Sequence, residues 1–326
     1  MSRAHRLRLG LWLLLLLHVA ILGAAFFAPY PYHAQHREAP YAPPTHIHWT
    51  HARPVVFGLA PDSTGGYRED PSHIYPIRFF TGGRLFGVDP PGTIFLLGSD
   101  GYGRDVLSRV LYGGQVSLLT GVLATALSLL LGLAIGTAAG FFGGWPDALL
   151  MRTGELFMAL PWLYLLLAVR AVLPLHISTV QAFLLLIAII GGVGWVRPSR
   201  LVRGVVLAAR ESGFVTAARG FGARPAYLVR RHVLPATLPV VATQATVLIP
   251  QFILAEVALS FLGLGVGEPV PSWGNLLAEA RQYHALLNYP WLLAPGLAAV
   301  PILLGYLTVA DALTDEDAAV RDAEQK

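Results

Sequence analysis

The sequence predicts an all-α integral membrane protein: six transmembrane helices, with a small extracytoplasmic insertion after the first. Three observations carry this. Of 326 residues, 55% are hydrophobic and only 13% charged, a balance outside the range of soluble domains. Apolar runs near the ~20 residues needed to span a bilayer recur along the chain. Between two of them lies an arginine-rich segment too polar to enter lipid. Composition also excludes chemistry. With no cysteine, disulfides and thiol catalysis are impossible. The only lysine is Lys326, so the lysine that a P-loop places on nucleotide phosphates is missing. If ATP drives this protein, another chain hydrolyses it.

In chain order, Arg3, Arg6 and Arg8 precede an apolar run over about 9–27. A signal peptide shares that charge layout but has a shorter apolar core of about 7–15 residues, so residues 1–29 are expected to form a short cytoplasmic N-terminus and an uncleaved first span. Proline, histidine, tyrosine and mixed charges dominate from 30 to 96. Pieces such as Val55-Val56-Phe57 and the run from Tyr75 to Phe80 predict brief strands between turns in a small subdomain outside the membrane. His46, His48 and His51 bring a metal site to mind, but no cysteine and few acids accompany them, and solvated loop histidines are the expectation.

A five-span core is expected over 97–313. In the run from Leu97 to Leu118, Ser99 or Asp100 is read as a helix cap, with Asp105 and Arg109 as an exposed i,i+4 pair. Hydropathy places spans at about 116–139, 154–173, 178–196, 238–262 and 290–311. Gly132, Gly136 and Gly140, four apart, allow close approach of another helix backbone, and Pro161 and Pro250 are expected to kink their spans. Glu256 would cost about 3 kcal/mol facing lipid near the bilayer centre. It is therefore expected to face the interior, as a translocation-path residue or an internal hydrogen-bonding post. Residues 314–326 read as a solvated cytoplasmic tail.

The polar segment, 200–236, reads as a helix, a sharp turn at Gly222 and a second short helix starting near Pro225. Phe214, Ala217, Ala218 and Phe221 fall at i, i+3, i+4 and i+7, an apolar stripe that needs a protein surface to cover it. Between Arg197 and Arg231 lie eight arginines against the single acid Glu211, which puts this loop in the cytoplasm; an even span count puts both termini there as well.

Three runs resemble one family. Phe214 to Ala223, followed by Arg231-His232-Val233-Leu234-Pro235, resembles the EAA loop of binding-protein-dependent ABC importer permeases. Leu97 to Leu118, with its Asp-Gly-Tyr-Gly-Arg-Asp core, and Ala258 to Val266 with Pro271 to Arg281 resemble signatures of the dipeptide, oligopeptide and nickel branch. The resemblance implies a type I importer permease fold in which Phe214, Val215, Thr216, Ala217, Ala218, Arg219, Gly222 and Ala223 form the coupling helix that docks on the ATPase. Thr216 stands where the family has its glutamate. Implied partners are a second homologous permease, two cytoplasmic ATP-binding subunits, an extracytoplasmic solute-binding protein and the lipid bilayer, with no nucleic acid. No cofactor, metal or catalytic residue is implied. The implied function is ATP-driven import through the cell membrane, of di- or oligopeptides first, with nickel chelates or oligosaccharides as related substrates. The rival reading is an ion-coupled secondary transporter, which calls for several buried ionisable residues and internal repeats; one buried acid and no clear repeat are read.

Overall fold

A computed structural model describes residues 3–62, 66–172 and 177–324. In chain order the elements are α1 (Arg3–Leu22), α2 (Ala24–Phe27), β1 (His48–Thr50), β2 (Arg53–Pro61), β3 (Tyr67–Pro76), β4 (Arg78–Thr81) and β5 (Arg84–Gly87). Then follow α3 (Val106–Phe142), α4 (Gly144–Ala159), α5 (Trp162–Ala171), α6 (Thr179–Gly194), α7 (Val196–Glu211), α8 (Gly213–Gly220) and α9 (Pro225–Leu228). A π-helical turn (Val229–Val233) leads into α10 (Leu234–Phe261). The chain ends with α11 (Trp273–Glu279), α12 (Tyr283–Asn288), a 3₁₀ turn (Pro290–Leu293) and α13 (Ala294–Glu324). Among the described residues, four stretches are long and apolar enough to cross a membrane, and two bent pairs bring the number to six if each pair is one span.

The bent pairs correct the sequence reading. The span expected at 154–173 is two helices, α4 and α5, meeting at 93°. Pro161, where a kink was expected, caps α5 with extended backbone. Residue 173, the expected end, lies outside the described residues. The next span ends at Gly194, and α7 departs from it by 44°. In contrast, α10 runs as helix through both Pro239 and Pro250. Backbone of the expected tail continues α13 as helix to Glu324.

The chain divides into two compact units. One comprises 12–118 and 257–303. Its strands form an antiparallel sheet in the order β1-β2-β3 and a separate β4-β5 hairpin, which locates the expected strands at Val55–Phe57 and on either side of Ile77. Val56, Ile77 and Ile94 form one small core, and Ala39, Ala42 and Phe95 another. His46 and His48 both approach the carboxylate of Glu69, at 3.4 and 2.8 Å; among the described residues no group of three potential ligands is placed to hold a metal. Helix α11 begins with a capping box between Ser272 and Asn275. Its fully buried Trp273 donates from Nε1 to the Val110 carbonyl at 2.9 Å. A Cβ on Gly114 would lie 2.9 Å from the same indole, so the glycine clears room for it.

The other unit comprises 1–11, 119–256 and 304–326. Here the glycine stripe of α3 meets the α7 backbone, as the four-residue spacing predicts. A Cβ on Gly132 would lie 2.6 Å from Pro198 Cβ, one on Gly140 2.9 Å from the Arg203 carbonyl oxygen, and one on Gly136 would overlap the Ser199 carbonyl.

Candidate functional site

The arginine-rich segment is built as an arm. Helix α7 is keyed to α3 by the glycine stripe and held by two cations. Arg203 grips Asp147 at the start of α4 through two bonds, of 2.5 and 2.6 Å. Arg210 donates to the Phe141 carbonyl at 3.1 Å, one of the last α3 carbonyls, which have no partner within the helix. Val202 and Val206 of α7 join Phe141, Leu228 and Val233 in a buried cluster.

Helix α8 lies across that cluster and divides the expected stripe. Val215, which lies off the stripe, is fully buried, and Ala218 and Ala223 are partly buried against the cluster. Phe214, Thr216, Ala217 and Arg219 are exposed, and Phe221 is 93% exposed. The inward face is therefore Val215 and Ala218, while the phenylalanines point outward. The reason is local: α8 is only about two turns long, and Val215, not Phe214, shares the buried cluster with Val206. The uncovered half of the stripe is an apolar face that this chain does not satisfy by itself.

The turn after α8 is a Schellman motif. Gly222 N–H donates to Arg219 O at 2.9 Å and Ala223 N–H to Ala218 O at 3.1 Å, with Gly222 at φ +82°. A Cβ there would meet nothing within 4 Å, so glycine is required by its dihedral, not by space. Beyond α9, Leu234 N–H bonds five residues back to Val229 O. Pro235 has no N–H to continue the ordinary ladder, and the π turn carries the chain past it. His232 sits between Phe214 and Tyr227, at 5.6 and 5.8 Å between ring centres.

Glu256 is fully buried. With Phe252, Ile253, Leu259 and Ser260 it lies on the buried face of α10, while Leu254 is exposed. A cavity of about 210 Å³ opens where α4 breaks from α5. Trp162 stacks on Phe252 at 5.7 Å along its wall, and Arg197 and Gln251 are its polar lining. Glu256 is not among the lining residues.

In the other unit the two signature runs converge on a charge cluster that sequence reasoning missed. Gly98 and Gly103 at φ +74° and +70° turn the chain back on itself. Asp100 Oδ1 accepts from the N–H groups of Tyr102 and Arg104, both at 2.9 Å, and its Oδ2 takes Arg104 Nε at 2.6 Å. Arg104 reaches Glu268 at 2.8 Å and Glu279 at 3.4 Å, and Arg109 reaches Glu268 at 2.7 Å. The expected exposed Asp105–Arg109 pair is corrected: both side chains are buried, and Arg109 pairs with Glu268 and Asp100. Asp105 is instead the helix cap in place of Ser99 or Asp100, its Oδ2 accepting from Ser108 N–H and Oγ at 2.7 and 2.6 Å. Burial pushes its carboxyl up to about 7 against the pull of those bonds. Burial, with Asp100 nearby, also pushes Glu279 up to about 7 and outweighs the two arginines. On Glu268 burial acts upward too, but Arg109 and Arg104 together hold it below the usual carboxylate range. Only paired signatures about 160 residues apart signalled this convergence.

Residues 129–315 match the family described as binding-protein-dependent transport system inner membrane component. The chain belongs to that family. It is 40% identical over 220 residues to a putative peptide permease protein of Brucella ovis, covering 67% of this chain and 70% of that one. Against the dipeptide transport system permease protein DppC of Alkalihalophilus pseudofirmus it is 34% identical over 226 residues, 69% and 72% of the two chains. A solved structure of the inward-facing MetNI methionine ABC transporter aligns with a TM-score of 0.45 at 18% identity, over 63% of this chain and 95% of that one. As a family member with four to six candidate spans, this permease is a multi-pass membrane protein whose job is transport. Membership also removes the ion-coupled rival.

Proposed function

We propose that this permease is one of two homologous membrane subunits of an ATP-driven importer of di- or oligopeptides. Two ATP-binding subunits sit on the cytoplasmic side and a solute-binding protein on the other. Eight arginines between Arg197 and Arg231 support a cytoplasmic arm, and with it cytoplasmic termini and an extracytoplasmic 30–96 segment. The names of the relatives support peptides as the substrate class.

The observation that carries the mechanism is the arm's construction: one face keyed to α3 without slack, the other apolar and uncovered. When the ATPases close on ATP, a groove holding Phe214, Ala217 and Phe221 drags α8. Because the glycine-lined contact leaves no room for α7 to slide, the motion passes to α3 and the span changes access. Packed interfaces shift between discrete arrangements rather than deforming smoothly. The substrate path in this subunit runs by the break at Pro161. Non-helical backbone at membrane depth is tolerated where it lines a water-filled cavity or is buried in protein, and Arg197 there suits a peptide carboxylate. Full burial supports Glu256 as the internal post.

The test is uptake into proteoliposomes holding the complete importer, with labelled dipeptide, oligopeptide, nickel chelate and oligosaccharide in parallel. ATP-dependent peptide uptake that Arg197→Ala weakens by raising the half-saturating concentration is expected. Uptake of the nickel chelate or sugar alone would replace the substrate reading while leaving the arm untouched.

A further inference from the structure

The hairpin β4-β5 carries an aromatic tip that neither the transport mechanism nor the small cores of its unit use. Phe79 is 55% and Phe80 74% exposed. Phe80 has φ +56°, a conformation rare for a bulky residue and costly without compensation. The ladder pairs Phe79 with Phe86 and Thr81 with Arg84 and skips Phe80, so the strand is bent at the residue that points outward.

The first span fixes where this tip lies. Helix α1 is apolar around its circumference, with Trp12, Leu15, Leu16, Val19 and Leu22 all more than half exposed, as a lipid-facing helix should be. From Arg8 to Phe27 the chain rises about 29 Å, roughly the hydrocarbon thickness, so Phe26 stands where the span leaves the membrane. The Phe80 ring is 6.3 Å from Phe26. Arg84 donates to the carbonyl of Pro29, just past that exit. The tip is thus level with the membrane boundary and continuous with the lipid-exposed face of the first span. Arg78 is paired with Asp89 at the base of the hairpin, which leaves Arg84 as the cation beside the tip, and aromatic rings next to an arginine suit the headgroup layer.

We propose that the β4-β5 hairpin is a membrane-surface anchor, its Phe79–Phe80 tip lying with Phe26 in the lipid interface of the leaflet where the first span emerges. Lipid contact supplies the compensation for Phe80's conformation, and it holds the 30–96 segment down on the bilayer.

This chain has no cysteine, so it contributes no competing thiol; the importer with unsubstituted permease, labelled in parallel, supplies the background from the other subunits. The full importer carrying Phe80→Cys, with a nitroxide on the new thiol, is placed in nanodiscs of phosphatidylethanolamine and phosphatidylglycerol. Collision with oxygen, which concentrates in lipid, is compared with collision with a water-soluble nickel chelate. Leu16→Cys serves as the lipid reference and Glu38→Cys, exposed on the same unit, as the water reference. The expected result is an oxygen-to-nickel preference at Phe80 that matches Leu16 and reverses that of Glu38, repeated by Phe79→Cys. A nickel-accessible label at both positions would overturn the proposal. So would labels shielded from both reagents, which would mean that a protein surface covers the tip.

Discussion

The two units of this permease solve close packing in opposite ways. Around the arm, cohesion comes from missing side chains: Gly132, Gly136 and Gly140 bring α7 against α3, and an apolar cluster fixes α8. Around the two signature runs, cohesion comes from charge: two buried arginines bridge Asp100, Glu268 and Glu279. The first arrangement is intolerant of bulk, and its Arg203–Asp147 pair stays charged near neutral pH because the arginine holds that carboxyl below the usual range. The second tolerates shape change better but depends on every charge having its partner, since a desolvated ion left alone costs several kcal/mol. A part that must relay motion suits the first, and a part that must hold a fixed shape suits the second.

The largest expected effect breaks the charged side of that comparison. Arg109→Ala removes one of the two arginines on Glu268 and one neighbour of Asp100; because Glu268 is half exposed and both acids keep Arg104, it should cost about 2–3 kcal/mol. Thermal unfolding of the purified importer should show it as a sharply lowered midpoint or as failure to accumulate. Arg109→Lys should fall between, because a lysine lacks the planar fork that meets two carboxylates at once. On the packed side, Gly136→Leu drives a side chain into the Ser199 carbonyl and should cost about 1–3 kcal/mol by overpacking. Its sharper signature should be ATP hydrolysis that continues while uptake falls, read by measuring both in one vesicle preparation.

The next effect separates the units by pH. Glu279 has a folded pKa near 7, above its unfolded value, so the folded state binds more protons between those values. Its contribution is fully present below the unfolded pKa and is lost as pH rises through about 7; Asp105 acts in the same direction. Hydrogen exchange over 98–110 and 268–280 should therefore be slower at pH 6 than at pH 8, and less so in Glu279→Gln. Exchange over 196–222 should show no such shift once corrected for its intrinsic pH dependence. The smallest effect is Thr216→Glu. Thr216 is exposed on α8, so stability should change by no more than about 0.5 kcal/mol, and ATPase retention on an affinity column should stay equal or rise.

What the sequence made legible follows the range of each signal. Short-range chemistry was readable in the glycine stripe and the turn at Gly222, which depend on a few neighbouring residues, but the helix cap was misplaced at Ser99 or Asp100 when it is Asp105. Hydropathy located spans but not their directions, so the run over 154–173 gave no warning that Pro161 turns the chain by 93°. Periodicity found an apolar stripe on α8 but not which half the rest of the chain covers, because that depends on Phe141, Val206 and Leu228. The charge cluster was hidden for the same reason. Arg109 and Asp105 are helical neighbours in sequence, yet the partner that decides the matter, Glu268, is 159 residues away. The 30–96 segment is also not self-contained: Ser99 Oγ accepts from Ala42 N–H and donates to Ala39 O, so residues 36–45 are built into the signature loop, and Tyr67 of β3 in turn bonds to the Glu38 and Pro40 carbonyls.

The central claim is that α8 hands motion from the ATPase to the spans through its uncovered face. Phe221→Asp tests it directly, since a residue 93% exposed in this chain can be changed without disturbing the fold. Ala218→Trp cannot do so, because Ala218 packs inward. The measurement is the amount of ATP-binding subunit that copurifies with the tagged permease, with uptake followed in the same membranes. The account predicts normal permease levels, loss of most of the bound ATPase and loss of uptake, with Glu211→Ala close to wild type. Full ATPase retention and normal uptake with aspartate at 221 would contradict it.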